Sequence, residues 1–370
     1  DEQQLVPDSR CRAYVSSSGA LVYKPVGLLQ DYGTSSSADA AARVEFGLMT
    51  GSYDWNMRGG ALRKNMGSLN DEVDLATGRF CHNISGTLPA NCRTSNGLVR
   101  TFDKMRLYQI GDYNASAKSV GVLSDSTTNP IRFALPDTLK NGAFSSWGNP
   151  MSEMLVQALY YLANSEMGNE PLMSGGSARV IDSTVGLSAV SSAIDPYGES
   201  TLDVASGNTR RAMYGRGICR PANVLAISSG STNFDTDEGD GTSLGSLYSR
   251  FNGLFGSTVA SLTQVVGDAQ HEAINNTTRS VGATDGGWGG QAGVLKAASC
   301  EAKLLTGLEL VAGVCPEAPG IKGSYLGAGA AYFANTHFIR STAEAGAAPD
   351  DKPVYAGRVK TYAASLAGGV

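Results

Sequence analysis

Residues 222–227 read ANVLAI, a short apolar run that begins after Pro221 and ends at the turn-forming residues 228–230, SSG. A run of this kind, bounded by turn residues, is typical of a strand buried on both faces inside a parallel sheet. Parallel strands cannot be joined by a tight hairpin, and their long crossover connections usually contain a helix. The stretch therefore predicts an α/β domain whose other strands lie far away in sequence.

The clearest helix lies upstream, where Asn149 is suited to the N-cap and Pro150 to the first turn. Apolar residues then recur at helical spacing, namely Met151, Met154, Leu155, Ala158, Leu159 and Leu162. One apolar stripe on a capped helix predicts packing against a sheet. We assign the methionines of this stripe to the core and give them no binding role.

Periodicity predicts four further elements: a strand at 43–50, an amphipathic helix at 244–269 bent at Gly253 and Gly256, a helix capped by Ser324 that extends to Ile339, and a strand at 358–366. Strands separated by helices in this order indicate a mainly parallel sheet with right-handed crossovers. The Gly- and Ser-rich stretches at approximately 51–146, 167–218 and 275–323 are predicted to be β-rich or loop insertions. Because such sheets bind ligands beyond the carboxyl ends of their strands, the residues after Ile227 are the first candidates for a site.

Composition argues against two kinds of partner. The 370 residues include 29 Lys+Arg and 34 Asp+Glu, and no dense cluster of Lys and Arg is present, so we expect no nucleic-acid binding. No apolar stretch approaches the length of a membrane-spanning helix, and residues 1–10 lack the features of a signal peptide. We therefore expect neither a membrane span nor a leader within this chain.

The six cysteines are even in number and contain no CxxC pair, which argues against a zinc site. Short loops favour the pairs Cys81–Cys92 and Cys300–Cys315, which leaves Cys11 with Cys219, although other connectivities are possible. Paired cysteines, few charged residues and abundant glycine together indicate an extracytoplasmic protein.

An acidic loop follows the apolar run. Asp235, Asp237, Glu238 and Asp240, with Asn233, could supply oxygen ligands to a Ca²⁺ ion. The spacing is not that of an EF-hand, because Gly239 takes the third acidic position and Ser246 the twelfth. The alternative is a solvated acidic loop before a helix N-terminus, where negative charge is favourable.

A second candidate is catalytic. Residues 241–245, GTSLG, match the nucleophile elbow of serine hydrolases, with Asp268, His271 and His337 downstream in the order of a Ser-Asp-His triad. The elbow requires a strand directly before the serine, and the preceding residues are acids and glycines instead. Ser243 is more simply the N-cap of the helix that follows.

Several ordered blocks resemble the N-terminal half of the PilY/PilC type IV pilus tip adhesins. They are 24–33 (KPVGLLQDYG), 43–53 (RVEFGLMTGSY), 59–65 (GGALRKN), 147–150 (WGNP) opening a helix, the strand after Cys219, the helix at 325–340 and the closing 359–362 (VKTY). The insertions are unmatched.

The resemblance implies a single von Willebrand factor A-like domain over 1–370, a Rossmann-like, mainly parallel sheet with helices on both faces and large insertions. It also implies export to the pilus tip or cell surface, where such proteins assemble with minor pilins, oppose retraction and contact host or abiotic surfaces. Domains of the A type can bind a metal through an Asp-x-Ser-x-Ser loop, a Thr and an Asp after the central strand. This chain has no such loop, and Ser228 and Ser229 occupy the position of that Asp, so the acidic loop is the better place for an ion. Family members continue into a C-terminal β-propeller and also extend upstream of Cys11, so we expect a fragment or a shortened relative.

We therefore hypothesise a non-enzymatic, disulfide-bonded adhesion and assembly module at a pilus tip. One alternative is a secreted serine hydrolase that uses Ser243. Another is a calcium-stabilised extracellular binding module unrelated to pili.

Overall fold

The computed structural model describes residues 11–15, 18–34, 42–74, 79–81, 97–105, 113–114, 119–120, 148–163, 182–183, 185–196, 221–228, 230–235, 247–269, 274–284, 300–316, 322–339 and 357–365. The strands are β1 Cys11–Val15, β2 Leu21–Pro25, β3 Phe46–Thr50, β4 Ala61–Gly67, β5 Val73–Asp74, β6 Arg79–Phe80, β7 Tyr113–Asn114, β8 Ser119–Val120, β9 Ala222–Ser228, β10 Thr277–Val281, β11 Glu301–Leu305 and β12 Val359–Ser365. The helices are α1 Leu28–Gly33, α2 Leu98–Lys104, α3 Met151–Leu162, α4 Leu247–Phe255, α5 Val259–Ala269 and α6 Leu326–Thr336. Within these residues, no helix is long and apolar enough to cross a membrane.

The apolar run at 222–227 forms β9, which pairs in parallel with the closing strand β12. Ala222 lies opposite Val359 and Ser228 opposite Ser365, without a register shift. Two strands more than a hundred residues apart thus pair in the parallel manner that the sequence predicts. The β12 strand begins one residue later and ends one residue earlier than predicted.

The prediction that β9 is buried on both faces is wrong. One face, with Ala222 and Val359, belongs to a hydrophobic core that also contains residues of α3, α4, α5 and α6. On the other face Leu225, Ile227 and Tyr362 are 62%, 46% and 54% exposed. The asymmetry arises because the described helices of this core cover the same side of the strand pair.

A second strand pair lies beside α3. Strands β3 and β4 are antiparallel, with register irregularities near Leu48, and β3 begins at Phe46 rather than at residue 43. Leu62 of β4 packs in the same core as α3, and the backbone N–H of Met66 donates to the hydroxyl of Tyr161 at 2.8 Å. Helix α3 therefore contacts both strand pairs and fixes their separation.

The predicted helix at 244–269 is interrupted. Residue Gly256 has a φ of +70°, which ends α4, and the chain restarts as α5 three residues later. The hydroxyl of Thr258 accepts a hydrogen bond from the N–H of Ser261 at 3.1 Å and caps the new helix. The break lets Phe251 and Phe255 of α4 reach Phe333 of α6, with ring centroids 5.3 and 5.0 Å apart.

Four of the six cysteines lie in the described residues and test the predicted pairing. The predicted Cys300–Cys315 bond is present and joins the residue before β11 to the turn at Cys315, after that strand. Cys81 is also disulfide-bonded, while its predicted partner Cys92 lies outside the described residues. Cys11 is a free cysteine on β1, where we predicted a bond to Cys219, which itself lies outside the described residues. Strand β1 pairs with β2 rather than with β9.

The contact between α5 and α6 generates a test of packing. A Cβ added at Gly329 would lie 2.5 Å from Val259 O and 2.6 Å from Thr263 N, both backbone atoms of α5. We expect Gly329→Ala to lower the free energy of unfolding by about 1–3 kcal/mol, because α6 must move away from α5. Gly253→Ala is the matched control, since nothing lies within 4 Å of a Cβ there and alanine favours a helix by up to about 1 kcal/mol. Urea unfolding measures both, and equal effects would contradict the packing.

Candidate functional site

The carboxyl ends of β3 and β9 line one pocket together with Asn149 and Met151 at the start of α3, and the candidate site is built there. After β9 the chain turns back through residues 230–235. Phe234 has a φ of +57°, an unfavourable value for an aromatic residue, and its ring is buried. This turn points Asp235 into the protein, where the side chain is fully buried.

The Asp235 carboxylate accepts hydrogen bonds from the start of two helices. Its Oδ1 accepts from the N–H of Ser152, the second residue of α3, at 2.9 Å, and its Oδ2 accepts from the N–H of Ser324, just before α6, at 3.1 Å. The hydroxyls of Ser152 and Ser324 also donate to it, at 3.1 and 3.3 Å, and so does the hydroxyl of Thr232. A carboxylate is favoured near the positive end of a helix, and Asp235 lies at the first turn of α3. Its link to α6 runs through Ser324, whose hydroxyl accepts from the N–H of Leu326, the first residue of that helix, at 3.2 Å.

Burial dominates the electrostatics of this group. It raises the pKa of Asp235 from 3.8 to about 6, while the hydrogen bonds from Thr232, Ser324 and Ser152 lower the pKa. The donors around it in the described part of the chain are uncharged hydroxyl and backbone groups. The helix ends and hydroxyls therefore take the place of a cationic partner.

The prediction that Asn149 caps α3 is wrong, because Pro150 occupies the N-cap position. The Asn149 side-chain amide instead donates to the hydroxyl of Ser228 at 2.8 Å and to the carbonyl of Ser231 at 2.9 Å. Its backbone N–H donates to Oδ1 of Asn233 at 2.6 Å, and the Asn233 N–H donates back to the Asn149 carbonyl at 3.0 Å. These bonds join the start of α3 to the end of β9.

The predicted calcium ligands divide into two groups. Asp237, Glu238 and Asp240 lie outside the described residues. Asn233 and Asp235 are buried, and their side-chain oxygens accept hydrogen bonds from protein groups. An ion bound to these two residues would have to replace those bonds. The described residues contain no group of three or more His, Cys, Asp or Glu side chains that could hold a metal.

The residues predicted for a serine hydrolase also fall partly inside and partly outside the described residues. Ser243 and His271 lie outside the described residues. Oδ1 of Asp268 accepts from the side chain of Asn275 at 2.7 Å. The ring of His337 stacks on Phe333 at 4.5 Å between centroids, and its Nδ1 lies 2.8 Å from the hydroxyl of Thr336. Both described members therefore have local structural contacts at helix ends.

A pocket of about 540 Å³ lies between β3 and β9. We call it the interstrand slot. It is lined by Gly47, Leu48, Met49, Thr50, Gly51, Ser52, Tyr53, Asn56, Leu62, Met66, Phe102, Met105, Gly148, Asn149, Met151, Met154, Leu155, Ala158, Tyr161, Leu162, Asn223, Val224, Leu225, Ala226, Ile227 and Ser228. None of these residues carries a charge. Met151 and Met154, assigned to the core from sequence, are half-buried and form part of its floor.

A buried ion pair fixes the end of the slot beside β3. The Arg63 and Asp182 side chains are 0% and 1% exposed, and their charged groups are 2.9 Å apart. The Arg63 guanidinium also donates to the Thr50 hydroxyl at 2.9 Å and to the Gly51 carbonyl at 2.8 Å. Asp182 accepts from the hydroxyl of Ser52 and the N–H of Tyr53. Sequence reasoning missed this pair; the only signal was an arginine directly after the apolar Ala61 and Leu62.

Comparison with known proteins gives two matches. A family model described as the second domain of PilY1 homologs matches residues 46–334. The type IV pilus biogenesis factor PilY1 homolog of Xylella fastidiosa (strain Temecula1 / ATCC 700964) is 32% identical over 161 residues. That alignment covers 43% of this chain but only 9% of the Xylella protein. No solved structure matches the chain.

The raised pKa of Asp235 predicts how stability changes with pH. Between about pH 4 and pH 6 the folded protein holds this proton more tightly than the unfolded chain, so the free energy of unfolding falls as pH rises through that window. The fall is about 3 kcal/mol in total. Asp235→Asn cannot titrate, so thermal unfolding at several pH values should show a flatter profile for it. Asp103→Asn, at an exposed site, should keep the original profile, and a parallel profile for Asp235→Asn would refute the assignment.

The Arg63–Asp182 pair predicts a large effect of a single substitution. Arg63→Met leaves the buried Asp182 without its cation and should lower the free energy of unfolding by about 3–5 kcal/mol. The same substitution at Arg100, whose ion pair with Asp103 is 37% and 53% exposed, should cost less than about 1 kcal/mol. Chemical denaturation of both variants checks the difference. Similar losses would mean that the buried pair contributes no more than a surface pair.

Proposed function

We propose that this chain, which belongs to the family of PilY1-homolog second domains, acts as a module of a type IV pilus biogenesis factor. The observation that carries the proposal is the family match over residues 46–334, which takes in the helices and strands around the candidate site except the last two residues of α6 and all of β12. The Xylella relative is itself described as a type IV pilus biogenesis factor. The chain aligns with a small part of that relative, so its role in the longer protein is part of the proposal.

The finer proposal is a non-enzymatic adhesion and assembly module, exported to the pilus tip or bacterial surface. Its partners would be minor pilins and a host-cell or abiotic surface. Two features of the candidate site support a binding role. The buried carboxylate of Asp235 accepts hydrogen bonds from the N–H groups of Ser152 and Ser324, and the described residues of the adjoining slot present an uncharged surface rather than a set of catalytic groups.

The fold proposal is a von Willebrand factor A-like domain. The parallel pairing of β9 with β12 and the position of α3 and α6 against them support it. Helices on the second face of the sheet remain a prediction. A calcium ion bound by the acidic loop also stays a prediction from sequence.

A deletion of this domain in the host bacterium tests the proposed function. In the strain that encodes it, deletion of residues 46–334 from the full protein should strongly reduce the number of surface pili. Loss of piliation is expected because a tip factor is needed to begin or maintain the fibre. Immunogold labelling should place the protein at pilus ends. Labelling along the whole fibre, or unchanged piliation after deletion, would contradict the proposal.

A matched control separates this function from hydrolysis. Ser243→Ala should leave piliation and adhesion unchanged, because no chemistry at Ser243 is proposed. Loss of piliation by this variant, in protein that is exported normally, would favour the hydrolase.

A further inference from the structure

We propose that the side chains of Lys64 and Asp71 become joined by an amide bond, with Glu72 as the group that accepts protons from the lysine amine. This cross-link is a modification of the chain itself and goes beyond the proposed function, which does not depend on it. It requires that the reacting atoms lie in contact, that most of the cluster be shielded from water, and that a proton acceptor stand beside the amine.

The reacting atoms are in contact. Lys64 lies on β4, and Asp71 lies in the turn that leads to β5. The lysine Nζ is 3.2 Å from Oδ1 of Asp71 and 3.2 Å from its Oδ2. Because the nitrogen is equally far from both oxygens, it faces the carboxyl carbon between them. A nucleophile held about 3–3.5 Å from the group that it attacks is already close to the geometry of reaction.

Backbone hydrogen bonds hold the turn in this position. The N–H of Leu69 donates to the carbonyl of Gly33 at 2.7 Å, and the N–H of Glu72 donates to the carbonyl of Leu69 at 2.9 Å. The carbonyl of Glu72 in turn accepts from the N–H of Cys81 at 2.7 Å. Folding therefore brings the two carboxylates to the amine, and the reaction has little further entropy to lose.

Most of the cluster is shielded from water. The side chains of Lys64 and Glu72 are 8% and 4% exposed, and that of Asp71 is 32% exposed. An ion pair in such a place loses the hydration of both charges, and a neutral arrangement of similar volume is often as stable or more so. Condensation converts an ammonium group and a carboxylate into one neutral amide, so it removes two charges from the cluster.

Glu72 supplies a buried oxygen beside the amine. Its Oε2 accepts from the N–H of Val99, the second residue of α2, at 3.1 Å. Its Oε1 lies 3.2 Å from Nζ of Lys64, and in the described part of the chain no hydrogen bond reaches this buried atom. A buried carboxylate oxygen without a donor is costly and calls for an explanation. Proton transfer from the adjacent amine provides one, since Oε1 is within reach of a general base.

The reaction is a condensation that needs no further reactant. Loss of one proton to Glu72 leaves an electron pair on Nζ, which attacks Cγ of Asp71 and forms the N–C bond. The bond from Cγ to one of its oxygens then breaks. That oxygen takes the proton held by Glu72 and a second proton from Nζ, and it leaves as water. Glu72 ends in the ionised state in which it began, as a general acid–base group does.

The product closes residues 64–71 into a covalent loop between β4 and β5. A cross-link within the chain reduces the freedom of the unfolded state and so favours the folded one. Tension along the chain passes through the new bond, so that the turn at Asp71 is not extended. The same residues in an unfolded chain have no fixed contact, and the bond therefore forms only after this part of the protein has folded.

Mass spectrometry of the full chain tests the cross-link. With its disulfides reduced and the protein denatured, the intact mass should be lower than the mass of the sequence by one water. Trypsin cuts after a free lysine but not after one whose amine is in an amide. The linked protein should therefore give the peptide 64–79, KNMGSLNDEVDLATGR, also lighter by one water, whereas a free Lys64 gives the peptide 65–79.

An internal control comes from the same digest. Lys303 lies 3.8 Å from Glu301, whose side chain is 59% exposed, and trypsin should cut after Lys303 as usual. A full intact mass with cleavage after Lys64 would overturn the proposal. So would the loss of one water in protein that is still cut after Lys64, because a cyclised Asp or Asn elsewhere in the chain would then account for it.

Variants test the roles of the three residues. Glu72→Gln keeps the size of the side chain but removes the proton acceptor, so it should restore both the full mass and cleavage after Lys64. Lys64→Arg keeps the positive charge and should also have its full mass. Glu301→Gln is the matched control for Glu72→Gln and should remain linked. A Glu72→Gln protein that is linked as completely as the parent would refute the role of Glu72, and the mass of the parent decides the cross-link even if a variant fails to fold.

The outcomes separate the cross-link from the function. A linked chain whose deletion leaves piliation unchanged would support the cross-link and contradict the proposed function. Unlinked protein from a strain that needs the domain for piliation would leave the function in place and refute the cross-link.

Discussion

The organisation around the candidate site depends on the buried carboxylate of Asp235. Removing a carboxylate from water without a cation is costly, and burial accordingly raises its pKa to about 6. The cost is offset by donors from the first turn of α3, from the chain before α6 and from Thr232 beside it. The same hydrogen bonds that accommodate the charge therefore set the position of two helices relative to the end of β9. Gly327 of α6 adds a bond to the hydroxyl of Ser152, so the two helix starts are also joined to each other.

The two walls of the slot are stabilised by different kinds of interaction. On the β9 side the contacts are neutral hydrogen bonds. The side-chain amide of Asn149 makes them, and they join the end of the strand to the start of α3. On the β3 side they are ionic, with Arg63 and Asp182 enclosing the turn that follows the strand. A buried ion pair is weak as a source of net stability, but it is specific, since each partner left alone would be an uncompensated charge. The pair thus specifies where β3 ends more than it stabilises the domain.

The sequence predicted those features of the fold that depend on the spacing of neighbouring residues. The period of α3 and the pairing of the strands at 222–228 and 359–365 follow from apolar spacing and from the need for crossovers. What the sequence could not reveal is which groups meet across long separations. Asp182 is 119 positions from Arg63, and nothing near either residue marks the other. Asp235 was recognised as an acid in an acidic loop, but its inward direction depends on the positive φ of Phe234, which no composition rule predicts.

The same limitation explains why the methionines of α3 were assigned to the core from sequence. A stripe at helical spacing identifies a buried face, and a buried face was assigned to the core. Whether that face meets a sheet or a gap between two strand pairs depends on β3, a hundred residues upstream. In the described residues α3 forms the floor of that gap, so Met151 and Met154 are half-buried along it and do not fill a sealed core.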